Sequence, residues 1–487
     1  MTRLSAASRV AAAVSAPGYA PAAHAAGLPH IRAGALPKGP PARYTDAALA
    51  AAGGDWRIVG VSLRSADVAA ALNPQDGRYI LVTRDEAGDG ARLIASIDRV
   101  LVAPDDPQAV VAAIADPATR IVTITVTEKG YGLDRATGGL DRGHEAVAHD
   151  LASPQRPAGL VGFLVAGLAA RRARGLGGLT VLSCDNLPEN GRITARLVGE
   201  FAALVDGGLA AWIAANVRFP SSMVDRITPA ATARTFADAE RLSGHADHAA
   251  VETEPFTQWV IEDDFAAGRP AWEAGGALFV ATVAPYEQMK LRLLNGTHSL
   301  LAYAGFLAGH ETVAEAVRDP GLRAIAERQM QAAAATLPPV PGIDLDGYRA
   351  QLVARFANRA IRHLTYQIAM DGTEKLPQRI LTPLAETLAR GGDAAPFAFA
   401  VAAWMRYCLG VGDAGEPYAL RDPRERLIAP RVAEAGRDAA RLYEALSSLP
   451  GLFAPELAAS GALRAAVVPL LAAMLEHGMA GAIARQG

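Results

Sequence analysis

Lys290, Asn295 and His298 stand close together in Pro285-Tyr-Glu-Gln-Met-Lys290-Leu-Arg-Leu-Leu-Asn295-Gly-Thr-His298. On an α-helix turning about 100° per residue from Lys290, Glu287 falls at about 60°, His298 at about 80° and Asn295 at about 140°. One side of one helix then carries an amine, an imidazole, a carboxamide and a carboxylate. Met289, Leu291, Leu293 and Leu294 are apolar enough to bury that helix. Buried polar groups need partners, and a lysine so placed is the kind whose pKa can fall until it exchanges protons near neutral pH. The same pattern also describes an ordinary amphipathic helix with a solvated polar face.

The elements that would position this group come in two kinds. From about residue 28 to 280, β-branched runs alternate with Ala-rich helical stretches. Strand candidates are Trp56-Arg-Ile-Val-Gly-Val, Tyr79-Ile-Leu-Val-Thr, 93–100, 120–126 and 179–183, with helices at 108–115, 159–174 and 191–205. The runs at 120–126 and 179–183 are continuous and apolar, as in parallel strands covered on both faces. This βαβ rhythm predicts a doubly wound α/β domain of the nucleotide-binding type. Beyond about 285 the strands stop. Helical patterns follow at 286–308, 311–319, 321–334, 346–371, 376–391, 396–409, 432–448 and 461–484. The expected organisation is a mobile lead-in over 1–27, a Rossmann-type domain over 28–284 and an all-α domain over 285–487. The Lys290 helix falls at the domain junction, where clefts form.

The chain has 487 residues, a net charge of −3, 51% hydrophobic and 20% charged residues, which excludes a disordered chain. There is no basic excess to suggest nucleic acid, and no apolar run is expected to reach the length of a membrane span. Cys184 and Cys408 are isolated, read as reduced buried thiols in a cytoplasmic protein, and leave no zinc site of the alcohol dehydrogenase type. The first 27 residues carry Arg3, Arg9 and an Ala-His-Ala, but the apolar part, Val10 to Val14, is too short for a secretory signal.

Several further strings converge on the same chemistry. Ser183-Cys-Asp-Asn186-Leu-Pro-Glu-Asn-Gly ends the strongest strand, where doubly wound folds place their ligands. Thr125-Val-Thr127-Glu128-Lys129-Gly-Tyr131 ends the strand before it. Met223-Val-Asp225-Arg226-Ile-Thr-Pro229 and Glu254-Pro-Phe-Thr-Gln-Trp-Val-Ile-Glu-Asp263 follow. With Lys290, Asn295 and His298, these strings resemble the polyol-specific long-chain dehydrogenase/reductase family, which contains mannitol dehydrogenase and fructuronate reductase. The resemblance runs from about residue 44 to the C-terminus.

The resemblance implies metal-free hydride transfer between NAD(H) and a secondary alcohol or ketone. Lys290 would be the acid/base, and the amides of Asn186 and Asn295 would hold the reacting oxygen. His298 would bind a neighbouring hydroxyl, Asp225 would line the site, and Glu287 would relay the proton from Lys290. The chemistry is self-consistent, because ketone reduction builds negative charge on oxygen, and two amide donors plus an ammonium stabilise that charge. Taken singly, Asn186 also reads as a turn residue, and Asp225 beside Arg226 as half of a structural ion pair. The string Tyr366-Gln367-Ile-Ala-Met-Asp371-Gly372-Thr-Glu-Lys375-Leu-Pro-Gln-Arg379, like Lys129, resembles the fructuronate reductase branch, with D-fructuronate and D-mannonate as the implied pair. A hexuronate needs a cation for its carboxylate; Lys375 and Arg379 are candidates, and Arg362 a weaker one. Each alone reads more readily as a surface charge, and Lys375 leads the three because the resemblance places it at the substrate. The same-class alternatives are a mannitol or other polyol 2-dehydrogenase and tagaturonate reductase. The implied partner is a small sugar acid or polyol, bound by a monomer or homodimer.

The chain departs from the family at the dinucleotide turn. Where the family carries a glycine-rich turn, this sequence has His30-Ile-Arg32-Ala-Gly34-Ala-Leu-Pro37-Lys38-Gly-Pro40-Pro41. Gly34 remains as a cofactor-binding candidate, beside Asp67 for the adenosine ribose, Thr127 and Asn186. Asp67 alone also reads as an acid at a helix N-terminus. Arg32 puts a side chain where backbone should meet phosphate, and the prolines remove amide donors and are incompatible with a helix opening there. Two readings follow. One is a weakened cofactor site, in the extreme a non-catalytic sugar-acid-binding relative. The other is a pair of compensating frame slips, since the next frame permits Phe-x-(Lys or Arg)-x-His-Gln.

Overall fold

The computed structural model describes residues 1–32 and 40–486, and the chain divides into two compact units, Met1–Ala284 and Pro285–Gly487. In the first, five parallel strands form the central sheet in the spatial order Ile97–Val102, Arg57–Ser62, Ala26–Arg32, Ile121–Thr125, Thr180–Ser183. The order reverses between Ala26–Arg32 and Ile121–Thr125, the switch point at which doubly wound sheets open a crevice. These strands are apolar on both faces because helices cover both. Pro107–Ile114 and Leu160–Ala173 pack together on one side, where Ile124, Val122, Phe163 and Leu168 are fully buried. Pro40–Ala52 and Asp67–Leu72 share the opposite core with Leu28, Ile58, Tyr44, Trp259 and Trp272.

Two expected strands lie elsewhere. Tyr79–Thr83 leaves the main sheet and pairs antiparallel with Gly90–Ile94 in a four-stranded sheet with Val14–Ser15 and Val251–Thr253. The expected run 93–100 breaks at Ala95 and Ser96, which are held by Asp46 Oδ1 and the Ala42 carbonyl, and only then enters the main sheet as Ile97–Val102. A third sheet joins Ser222–Asp225, Gln258–Glu262 and Ala277–Val280. The expected mobile lead-in is also corrected. Leu4 and Val14 are buried, Leu4 N–H donates to the Ala246 carbonyl, and Val14–Ser15 pairs with Ala91 and Arg92.

Pro40 and Pro41 are the first residues of Pro40–Ala52. This corrects the expectation that they exclude a helix, since the first turn has no use for their missing N–H groups.

The second unit is helical throughout its regular structure. Five of its expected helices are interrupted: 286–308 contains the π-turn Lys290–Asn295, 346–371 becomes Leu345–Ala357 and Thr365–Ala369, 376–391 contains the π-turn Pro377–Leu381, 432–448 becomes Glu425–Ala435 and Ala439–Ser447, and 461–484 is kinked at Gly478. Gly461–Ala484 is, among the described residues, long and apolar enough to cross a membrane by length and composition, which corrects the expectation of no such run. Leu463, Val467, Leu471 and Met474 on it are buried, and it packs against Ala395–Tyr407.

Candidate functional site

Lys290 opens a π-helical segment, Lys290–Asn295, set between the α-helices Ala284–Met289 and Gly296–Leu307. The expected single α-helix is thus interrupted by i→i+5 hydrogen bonding, an insertion that often marks a functional site. The 100° projection therefore fails for Asn295 and His298, although all four side chains remain on one continuous helical run. Lys290 and Glu287 are each 9% exposed, His298 5%, and Asn295 is half-buried. The segment is anchored from outside. Arg292 donates twice to the Glu386 carboxylate at 2.6 and 2.8 Å and twice to Thr336, at its carbonyl (3.0 Å) and hydroxyl (2.7 Å). Gly296 lies so close to Arg379 that a Cβ there would sit 2.8 Å from the Arg379 carbonyl oxygen.

His298 is the centre of a cationic group within this unit. Its ring lies 4.7 Å from Phe356 and meets His363 edge-on at 5.0 Å between centroids. Burial, reinforced by His363, Arg379 and Arg355, holds the His298 pKa well below the usual imidazole range, and its Nε2 has no hydrogen-bond partner among the described residues. Arg379 donates to Ser299 Oγ at 3.2 Å. Lys375 Nζ donates to the carbonyls of Ile368 (3.1 Å) and Met370 (2.5 Å) and sits 3.8 Å from Asp371. Burial first, then the charge of Arg379, lowers its pKa to about 8. Lys375 and Arg379 are thus brought into one electrostatic group with His298. Arg362 stays on the surface, paired with Glu311.

In the first unit, three of the predicted residues stand just past the C-terminal ends of parallel strands. Asp67 is exposed in the first turn of Asp67–Leu72, following Arg57–Ser62. Thr127 is exposed after Ile121–Thr125, and Asn186 is exposed after Thr180–Ser183. A dinucleotide binds along this edge in such sheets, so the three fit one. Gly34 and Pro37 lie outside the described residues. Arg32 is the last residue of its strand, paired with Ser62 and Thr125, and its 5%-exposed side chain lines a cavity with Gly60, Val68 and Leu72. Burial lowers its pKa to about 10. His30, two residues earlier, bridges Thr123 Oγ1 (2.8 Å) and Thr125 Oγ1 (2.9 Å), and burial with the Arg32 charge holds it neutral, its pKa pushed down to about 3. Asp225 is buried at the end of Ser222–Asp225, while the Arg226 guanidinium reaches Thr253 Oγ1 and the Glu254 carbonyl.

Two sets of residues escaped the sequence reading. Asp185, next to Asn186, accepts from Tyr131 O–H at 2.6 Å and from Val126 N–H at 3.0 Å, and burial raises its pKa to about 7. It ties the strand end before Thr127 to the one before Asn186. The other set is His363 with Arg355. The signal for Asp185 was its place in the Ser-Cys-Asp-Asn string; His363 had none, because only tertiary packing sets it beside His298.

A parallel sheet with this switch point and these strand-end side chains defines a Rossmann-type oxidoreductase carrying a helical second unit. The mannitol dehydrogenase Rossmann domain model matches residues 29–274 and the mannitol dehydrogenase C-terminal domain model residues 282–475. The chain belongs to the mannitol dehydrogenase family. It is 41% identical over 454 residues to D-mannonate oxidoreductase of Escherichia coli (strain K12), covering 92% of this chain and 93% of the relative. The structure of Pseudomonas fluorescens mannitol 2-dehydrogenase in ternary complex with NAD and D-mannitol superposes with a TM-score of 0.87 at 37% identity, over 99% of each chain. That of D-sorbitol dehydrogenase does so with a TM-score of 0.88 at 31% identity, over 99% of this chain and 100% of that one.

Proposed function

We propose that the chain is an NAD(H)-dependent reductase interconverting D-fructuronate and D-mannonate by metal-free hydride transfer. The observation that carries this reading is the grouping of Lys375 and Arg379 about His298, which offers a carboxylate two cations beside a sugar-binding imidazole. The D-mannonate oxidoreductase relative supports the same substrate pair. When bound, the nicotinamide supplies the hydride. Asp67 would hold the adenosine ribose hydroxyls, Thr127 and Asn186 would hold the dinucleotide at the strand ends, and the residue type of Gly34 suits the same role. Lys290 gives a proton to the developing alkoxide, or removes it in the reverse direction, and Glu287 passes that proton on. The carboxamides of Asn295 and Asn186 donate to the same oxygen, where charge builds. His298 binds the adjacent hydroxyl and Asp225 lines the site.

The test is a comparison of D-fructuronate with D-fructose as oxidant of NADH. A clear preference for D-fructose would make the protein a mannitol-type dehydrogenase, the reading favoured by the likeness to the mannitol complex. If D-tagaturonate is preferred, the uronate class stands and the substrate changes. NADH fluorescence titration separates these from a non-catalytic relative, for which no binding at millimolar cofactor is expected. Lys290→Ala should lower turnover by about 10²- to 10⁴-fold, the usual share of general acid/base catalysis, with NADH affinity nearly unchanged. Retained turnover would remove Lys290 from its role.

A further inference from the structure

We infer that His363 is a specificity-determining residue of the substrate site, donating a ring N–H to the carboxylate of a sugar acid alongside Lys375. The inference rests on the hexuronate reading above and names a group that reading does not include. His363 meets the His298 ring edge-on at 5.0 Å between centroids, so the two imidazoles are direct neighbours. Its position is built rather than incidental. The His363 carbonyl accepts from Val313 N–H, Thr312 bridges Leu364, and Thr365 Oγ1 donates to the carbonyls of His310 and Glu311. These bonds clamp the chain carrying His363 to the loop that follows the helix of His298.

The charges acting on His298 and His363 are cationic, while Asp371, Glu374 and Asp422 act on Lys375 in the opposite sense to Arg379. Lys375 lies near enough to act on His363, Arg379 acts on both Lys375 and His298, and Arg355 acts on His298. The Lys375 ammonium has three N–H donors and spends two on the Ile368 and Met370 carbonyls. Its remaining donor, with Asp371 3.8 Å away, can satisfy at most one lone pair of a substrate carboxylate, which has about four, so a second donor is needed nearby. His363 supplies it. Among the described residues its ring makes no hydrogen bond. Burial and the Lys375 charge keep it neutral, with a pKa of about 4, so that one ring nitrogen donates at physiological pH. A neutral polyol gains nothing comparable from this pair, because its terminal hydroxyl can be hydrated or held by one donor.

The test uses His363→Phe, which keeps an aromatic ring against His298 but removes the N–H, and His363→Gln, which restores a donor. Binding of D-mannonate and of D-mannitol to the enzyme–NADH complex is measured calorimetrically, so that turnover is not required. Expected is a loss of about tenfold or more in D-mannonate affinity for His363→Phe, the worth of one hydrogen bond to a charged group. D-mannitol and NADH affinities should move less than about twofold, and His363→Gln should recover much of the loss. If wild type binds D-mannonate and His363→Phe weakens both sugars equally, or neither, the inference fails while the hexuronate reading stands. If wild type binds D-mannitol and not D-mannonate, the hexuronate reading itself has failed and takes His363 with it.

Discussion

Lys375 is a cation whose charge is conditional. With its pKa lowered to about 8 by burial and by Arg379, it is protonated at neutral pH and loses its proton as pH rises through that value. A carboxylate substrate held by it should therefore bind well below pH 8 and progressively worse above it. The KM for D-fructuronate is expected to climb between about pH 7.5 and 9, while that for D-fructose stays level. Lys375→Met should raise the uronate KM at pH 7 and abolish the climb. A flat uronate profile in the wild type would show that Lys375 does not carry the carboxylate. The Ile368 and Met370 carbonyls fix the ammonium through two of its three donors, and Asp371, 3.8 Å away, offsets part of the fall in its pKa.

At the scale of elements, the decisive piece is the run from Ala284–Met289 through the π-turn to Gly296–Leu307. A glycine inside a helix ordinarily costs stability relative to alanine, by about 0.5–1 kcal/mol. At Gly296 the sign should reverse, because a Cβ would sit 2.8 Å from the Arg379 carbonyl oxygen, a backbone atom with little room to yield. Gly296→Ala is expected to lower stability by about 1–3 kcal/mol, the usual cost of overpacking, seen as a lower midpoint in denaturant. It should also raise the KM for sugar acids by shifting Arg379. An alanine variant as stable as wild type would show that the Arg379 backbone yields to the added methyl. Much of this run was legible in the sequence, since the residue types of Glu287, Lys290, Asn295 and His298 sit in one string. The π-turn was not. Its i→i+5 bonding is held by Arg292 on Glu386 and Thr336, partners that no local periodicity can indicate. The break between Leu345–Ala357 and Thr365–Ala369 was missed for the same kind of reason: the backbone of 363–365 bonds to 311–313 instead of continuing a helix.

Across the whole molecule, several histidines are buried as neutral groups, and this shapes stability against pH. His30, with a folded pKa near 3 against an ordinary 6.5, binds a proton more readily when unfolded. Its contribution is therefore intact above about pH 6.5 and is lost progressively as pH falls toward 3, at up to about 1.4 kcal/mol per pH unit. His363 acts in the same direction over a shorter window, from about 6.5 down to about 4. The melting temperature should fall steeply on acidification below pH 6.5. His30→Gln, which can still bridge Thr123 and Thr125, should flatten part of that fall; an unchanged slope would show that His30 is not its source. The sequence by itself determined the doubly wound first unit, the helical second unit and the types of the candidate site residues, because continuous apolar strands, helical periodicity and short polar strings are local properties of a chain. Tertiary structure alone decided that Arg32 ends a paired strand with its side chain buried, that Leu4 and Val14 belong to a core, and that His363 meets His298 across 65 residues. Each of these depends on a partner distant in sequence, and burial and ring contact exist only once the chain has closed around both.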